Sequence, residues 1–439
     1  MDHISDHYIS VQKKFIYSIF IALLWAGFSL YIARLWFHDL SALIGVILAG
    51  YVILFIAIMP GFMNAFMLAS LMLDRRPQRN HLKKYPGLSI LVACYNEEKS
   101  IKATILSIQK QRYSGPLEVL VINDGSSDQT LSIVRGLSKR FSWIKVIHNK
   151  KNQGKALCLN QGLKASKYKL IVTLDGDSFL FKNALSRIVE RYKNDPPHTR
   201  AVAGAVMVRN SRDNWITQSQ EWDYFLGIAT VKRVQSLYQG TLVAQGAFSL
   251  YDKKALLEVN GWPNTIGEDI VLTWALLEKN YRVGYCEDGI VFTEVPNTFT
   301  AFVRQRERWA RGMFEAFQYH PKILFKRKLH AFFIWWDLFF PFMDFAFTFG
   351  FIPGLIAACL GHNWIIGPMT LSLFPITLFI NWMMYSIERK VFNLDKLFVR
   401  KNVFGFLIYI FPYSLIVQPA ALAGYFYQIM GMKKSWGTK

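Results

Sequence analysis

Charge-free runs at both ends of the chain bracket a central stretch in which short apolar segments alternate with amphipathic ones. Residues 15–33 hold no Asp, Glu, Lys or Arg over 19 positions, and residues 40–73 hold none over 34. A helix needs roughly 20 apolar residues to cross a bilayer core. Two spans are therefore expected here, the second bent at Pro60 and Gly61. The first run is too long for a removable leader and no small-residue cleavage site follows it. Similar runs return over 345–387, with room for two spans turning near Gly361, His362 and Asn363, and over 402–432, one further segment broken by Pro412 and Pro419. Residues 331–344 are strongly aromatic but contain Asp337 and Asp344, which predicts a helix lying in the membrane interface.

The central pattern has a different period. Apolar strands are predicted over 88–94, 117–122, 143–147 and 170–174, with helices such as 100–111 and 155–165 between them. Strand, helix, strand at this spacing implies a parallel sheet covered by helices on both faces, an α/β domain. The expected organisation is thus two spans in 1–74, a catalytic-type domain in 75–325, and the interfacial helix plus about three spans in 326–439. Ligands of such sheets bind beyond the carboxyl ends of the strands. Asp124 and Asp175 both lie at such ends, where an Asp otherwise serves to cap a turn.

Composition sharpens this. Hydrophobic residues make up 52% and aromatic residues 15%, and the formal net charge is +21. The basic residues flank the apolar runs, as in Arg75, Arg76, Arg79, Lys83 and Lys84, which favours anionic lipid headgroups as their partner. No finger, helix-turn-helix or RNA-recognition signature is present, so nucleic acid is not an expected partner. Lys13, Lys14 and the Arg75–Lys84 cluster lie on one side of the first hairpin and the short 34–39 loop on the other, so residues 75–330 are expected in the cytoplasm. Lys390, Lys396, Arg400 and Lys401 mark a second cytoplasmic loop. An odd final span would leave Lys433 and Lys434 outside, unless the last segment is broken or re-entrant. The four cysteines, Cys94, Cys158, Cys286 and Cys359, form no C-x-x-C pair and are expected as buried free thiols in a reducing compartment.

Several short motifs carry chemistry. Asp175-Gly176-Asp177 places two carboxylates around a tight turn. That set can share one hard divalent ion, Mg²⁺ or Mn²⁺, with substrate phosphate oxygens. Gly267-Glu268-Asp269 opens a predicted helix. Acids there cap helices, but a carboxylate ionised at neutral pH can also draw the proton from an attacking sugar hydroxyl. With no covalent intermediate, that is a single inverting displacement. In Gln305-Arg306-Glu307-Arg308-Trp309, positions 305, 308 and 309 share one helical face and suit an acceptor sugar and a diphosphate. The neighbouring Arg304, Arg306 and Arg311 fit an interfacial helix instead. Asn152-Gln153-Gly154-Lys155 precedes a helix, whose amino end and Lys155 attract phosphate. Tyr95 and Glu97, after the first strand, could take a base and a ribose.

These motifs, in this order, resemble those of the family 2 processive glycosyltransferases, which include cellulose, chitin, hyaluronan and poly-N-acetylglucosamine synthases. The matching positions are Asp124, Asp175 with Asp177, Gly267 to Asp269, and Gln305 with Arg308 and Trp309, across residues 85–320. The resemblance implies a GT-A-type, Rossmann-like fold, a UDP-sugar donor and a growing polysaccharide acceptor. It implies Asp124 near the uridine, Asp175 and Asp177 around the diphosphate and metal, and Asp269 as base with Glu268 beside it in the catalytic triplet. It also implies that the Gln305 helix caps the acceptor at the mouth of a channel through a bacterial plasma membrane, with a small accessory membrane subunit as a further partner. Residues 228–262 are most similar to bacterial poly-β-1,6-N-acetylglucosamine synthases, through 235–240 and the run from Lys253-Lys254-Ala255-Leu256 to Gly261-Trp262. Two positions depart from the pattern. Ala93 stands where Pro is common, and Gly267 opens the triplet, as in chitin-oligomer and hyaluronan synthases, rather than the Thr usual in the poly-N-acetylglucosamine group. The rivals are a chitin- or hyaluronan-like synthase, a non-processive enzyme moving one sugar to a lipid phosphate, which generally lacks Q-x-x-R-W, and an inactive transporter or scaffold, which gives no reason for the acidic set.

Overall fold

The computed structural model describes residues 9–75, 79–366, 373–394, 397 and 401–432. Arg76, Lys396, Arg400, Lys433 and Lys434, used above for orientation, lie outside the described residues, as does part of the 345–387 run. The chain forms two compact units, Met1–Arg76 with Phe339–Val399, and Pro77–Leu338 with Arg400–Lys439.

In the first unit Val11–Ile44 is one helix of 34 residues. The loop expected over 34–39 is helical. That stretch contains no Gly or Pro to stop the helix, and the turn falls at Gly45, whose φ of +83° suits glycine. The next segment, Val46–Met72, continues as a helix through Pro60. A π-turn over Leu54–Ile58 precedes it, with Met59 N–H bonded to the Leu54 carbonyl. The wider turn accommodates the proline ring and its missing N–H. The same device recurs in Leu329–Cys359, where a π-turn over Phe347–Phe351 precedes Pro353. That helix runs unbroken through 331–344, so the separate interfacial helix expected there is the first half of a 31-residue segment. Two buried-looking acids do not end a helix, because neither removes a backbone hydrogen bond. Among the described residues, three helices are long and apolar enough to cross a membrane, or four if the bent pair Val403–Ile410 and Pro412–Ile429 counts as one span.

The second unit is built on an eight-stranded sheet of β1 (Leu88–Cys94), β2 (Leu117–Asp124), β3 (Ile144–Asn149), β4 (Leu170–Asp175), β5 (Ser178–Leu180), β6 (Thr199–Val208), β7 (Phe248–Asp252) and β8 (Arg282–Thr293). The order is β3-β2-β1-β4-β7-β6-β8-β5. The first four strands are parallel, as their spacing predicts. β7 then runs antiparallel between β4 and β6, and β5 antiparallel to β8. The sheet is therefore mixed, not parallel throughout. β1, β2 and β4 are buried on both faces, which gives continuous apolar runs such as Leu88–Cys94. Of the four cysteines, Cys94, Cys158 and Cys286 are buried, while Cys359 is exposed, contrary to expectation, because it sits near the end of an apolar helix whose surface is bare. The bent C-terminal pair, broken by 50° at Phe411, packs in this same unit, against Phe299–Tyr319 and Trp215–Trp222.

Candidate active site

The carboxyl ends of β1, β2 and β4 open on a common cleft. After β1 and β2 the chain forms two loops laced together. Ser127 N–H donates to Asn96 Oδ1 at 2.9 Å, Glu98 N–H to Asp128 Oδ2 at 3.1 Å, and Gln129 N–H to Glu98 Oε2 at 3.0 Å. Tyr95, 46% exposed, projects from this frame. Glu97 accepts from the Ser100 hydroxyl at 2.7 Å, and its Cγ lies 3.1 Å from where a side chain on Gly176 would begin. Asp124 is buried. Its carboxylate accepts from Gln153 N–H (2.9 Å), Gly154 N–H (2.8 Å) and Asn149 Nδ2 (3.1 Å). It therefore shapes the turn that presents Lys155 at the start of its helix.

Lys155 joins motifs that lie far apart in sequence. Its Nζ is 2.5 Å from Asp175 Oδ1 and 3.6 Å from Glu268 Oε1. Burial works against its charge, but Asp175 and Glu268 outweigh that and hold its pKa above the usual lysine value. Glu268 and Asp269 open the helix Glu268–Glu278 and differ in setting. Glu268 is buried against Lys155, whereas Asp269 is only half-buried. Asp269 Oδ1 accepts from Ile270 N–H at 2.9 Å, and Oδ2 takes only a long contact from Gly246 N–H at 3.4 Å. Burial, with repulsion from Asp269 and Asp175, outweighs Lys155 and Arg308 and pushes the Glu268 carboxyl up to about 7. Lys232, in no motif legible from local pattern, is buried near Asp269; burial pulls its ammonium down to about 7, with Asp269 pulling back.

A pH dependence follows from Glu268. Folded, it keeps its proton up to about 7, and an ordinary glutamate releases it near 4.5. Across that window the folded state binds more protons, so stability falls as pH rises, on the order of a few kcal/mol in total. Glu268→Gln is expected to flatten this decline in melting temperatures of the detergent-solubilised protein. An unchanged slope would contradict the assignment.

The Gln305-to-Trp309 motif lies on the helix Phe299–Tyr319. That helix crosses the acidic triplet at two glycines: a Cβ on Gly267 would lie 2.5 Å from Gly312 Cα. Glu315, fully buried, accepts from Gly267 N–H at 3.0 Å. A Thr at the first triplet position would not fit this crossing. Arg308 reaches close enough to act on the Glu268 carboxyl, and both Arg308 and Asp177 act on the buried Tyr224 hydroxyl. Among the described residues, Gln305 Oε1 and Arg308 Nε are buried without a hydrogen-bond partner, and Trp309 is 38% exposed. Arg304 is exposed, but Arg306 and Arg311 are buried, so the basic residues of this helix do not form one interfacial face.

Asp177 Oδ1 accepts from the Thr293 hydroxyl at 3.2 Å. Among the described residues no three His, Cys, Asp or Glu side chains gather into a metal cage. Asp175 and Asp177 thus offer two carboxylates, a donor set that fits Mg²⁺ or Mn²⁺ shared with phosphate oxygens and not a closed zinc site.

Residues 89–259 match the family model described as glycosyl transferase family 2. The mannosyltransferase PcManGT from Pyrobaculum calidifontis, solved with GDP-Man and Mn²⁺, superposes with a TM-score of 0.61 at 18% identity, covering 88% of this chain and all of that one. Residues 89–259 are therefore similar to a family 2 glycosyltransferase domain, and the fold is of the GT-A type. Among curated proteins the chain is 32% identical over 241 residues to the poly-β-1,6-N-acetyl-D-glucosamine synthase of Staphylococcus aureus (strain COL), covering 55% of this chain and 57% of that one. It is 34% identical over 227 residues to the synthase of the same name from Staphylococcus epidermidis, covering 52% and 54%. The match spans a little over half the length of these relatives.

Proposed function

We propose that this chain is a membrane glycosyltransferase that polymerises N-acetylglucosamine from UDP-GlcNAc, with poly-β-1,6-N-acetylglucosamine as the favoured product. The observation that carries the reading is the meeting of Lys155, Asp175 and Glu268, from three separate motifs, beside Asp269 and under the Gln305–Trp309 helix. The similarity to the staphylococcal synthases supports the sugar.

In this reading the acceptor hydroxyl oxygen attacks the anomeric carbon of the donor. The new C–O bond forms as the bond to the diphosphate breaks, UDP leaves, and the hydroxyl proton passes to Asp269, inverting the carbon. Asp269 is the better base of the pair because its outer oxygen is weakly engaged, while Glu268 is committed to Lys155. Tyr95 and Glu97 would hold the nucleoside on the rigid laced loops. Asp124 would act through the Lys155 turn. A divalent cation held by Asp175 and Asp177 would neutralise charge building on the diphosphate. Arg308 and Gln305 have unfilled hydrogen-bonding atoms to offer the diphosphate and the acceptor. Trp309 would stack on the acceptor sugar and keep the polymer seated between transfers. The catalytic unit would face the cytoplasm, with the apolar segments in the plasma membrane and the chain passing through them.

Turnover of UDP-GlcNAc by detergent-purified protein tests the proposal. A long polymer is expected; a single transfer to lipid phosphate would favour the non-processive alternative, and other UDP-sugars would expose a chitin- or hyaluronan-like specificity. Trp309→Ala is expected to shorten or abolish polymer while UDP affinity, read by calorimetry, stays at the wild-type value. Equal chain lengths would count against Trp309 as the acceptor platform.

A further inference from the structure

Arg306 sits in the Gln305–Trp309 motif but does not face the cleft chemistry. Its side chain is 6% exposed. Nη1 is 2.9 Å from Asp223 Oδ2, and Nη2 donates to the Tyr413 hydroxyl at 2.8 Å. Tyr413 in turn donates to Asp223 Oδ2 at 3.0 Å, which closes a three-membered ring of charge-assisted hydrogen bonds. The three residues come from three elements. Asp223 begins the π-turn Asp223–Thr230, Arg306 lies on Phe299–Tyr319, and Tyr413 is the second residue after the 50° break at Phe411.

The same guanidinium lies over the Trp309 indole, 4.2 Å from its centroid, as expected for positions three apart on a helix. Tyr224, next to Asp223, supports Trp309 from another side, ring to ring at 6.2 Å. Phe302, one turn earlier on the motif helix, packs its ring on Tyr413 at 5.4 Å and lies under the guanidinium at 5.0 Å. Trp309 is thus held by Arg306 and Tyr224 while part of its ring stays exposed. A buried charge pair of this kind adds little net stability over apolar residues, and its best-attested use is to fix one geometry.

We propose that Asp223, Arg306 and Tyr413 form a latch that holds Trp309 in its acceptor-stacking position by tying the motif helix to the broken C-terminal segment, so that a shift of that segment moves the acceptor platform. Arg306 and Tyr413 are positioning residues. The proposal rests on the transferase reading above.

Tyr413→Phe removes one hydroxyl with almost no change of volume, and so is the test variant. It is expected to bind UDP with wild-type affinity, to release UDP several-fold more slowly under saturating donor, and to make shorter polymer. In a Trp309→Ala background the same substitution should shorten polymer no further, which a general loss of packing would not reproduce. Amide hydrogen exchange, read on the same samples, should show lost protection over the motif helix around residues 305–309. Wild-type polymer length in Tyr413→Phe, or additive shortening in the double variant, or unchanged exchange, overturns the latch. Absence of any polymer from the wild-type protein would instead overturn the polymerase reading, and the exchange measurement would then decide the latch alone.

Discussion

Asp269→Asn is expected to leave UDP binding intact and to lower turnover by roughly 10²–10⁴-fold, the usual contribution of a positioned general base. The substitution keeps the shape of the side chain and the contact its Oδ1 makes with Ile270 N–H. It removes the ability to accept a proton, together with the charge that repels Glu268 and the long contact of Oδ2 with Gly246 N–H. Lys155 stays against Asp175 at 2.5 Å, and the diphosphate side of the cleft should keep its hold on UDP. Calorimetry with UDP and a UDP-release assay on the same preparation separate the two effects. Polymer yield equal to wild type would remove Asp269 from the mechanism and shift attention to Glu268, whose raised carboxyl pKa makes it the remaining candidate.

The second large effect concerns the divalent cation. Asp177→Ala is expected to abolish the gain in UDP affinity that Mn²⁺ gives the wild-type protein, a loss of at least about tenfold, or about 1.4 kcal/mol. With two carboxylates available and no cage around them, loss of one leaves the ion with only Asp175, which Lys155 already engages. Titrations with and without Mn²⁺ should coincide for the variant and differ for the wild type. A variant that retains the full metal-dependent gain would place the ion elsewhere.

Much of this site can be read from sequence because its parts sit at strand ends. β1, β2 and β4 are short apolar runs bounded by turn residues, so Asp124 and Asp175 fall at the cleft by topology alone. Lys155 was legible as a phosphate-seeking residue at a helix start, but not as the bridge between Asp175 and Glu268. That bridge depends on the start of the helix Glu268–Glu278 returning to the end of β4, which no local pattern records. The later strands were harder. β6 begins Thr-Arg-Ala-Val-Ala-Gly, small residues with no clear period, and β5 is only three residues long. Arg306 shows the same limit. Helical geometry groups Gln305, Arg308 and Trp309, but a charged residue beside them reads as solvated until one sees that a second helix covers its side. The glycine that opens the triplet looked like a departure in specificity; the crossing with Gly312 gives it a steric reason.

The last described helix does more than anchor the chain. Phe314 stacks on Tyr425 at 4.9 Å, Gln428 donates to Gln318 at 3.0 Å, and Arg311 donates to the Met432 carbonyl at 2.8 Å. Catalytic and hydrophobic portions of this polypeptide are therefore not modular in the way the order of segments suggests. A soluble fragment cut after the sheet and its motif helix would bare a long aromatic seam, lose the partner of a buried guanidinium, and misplace the very residues for which it was excised.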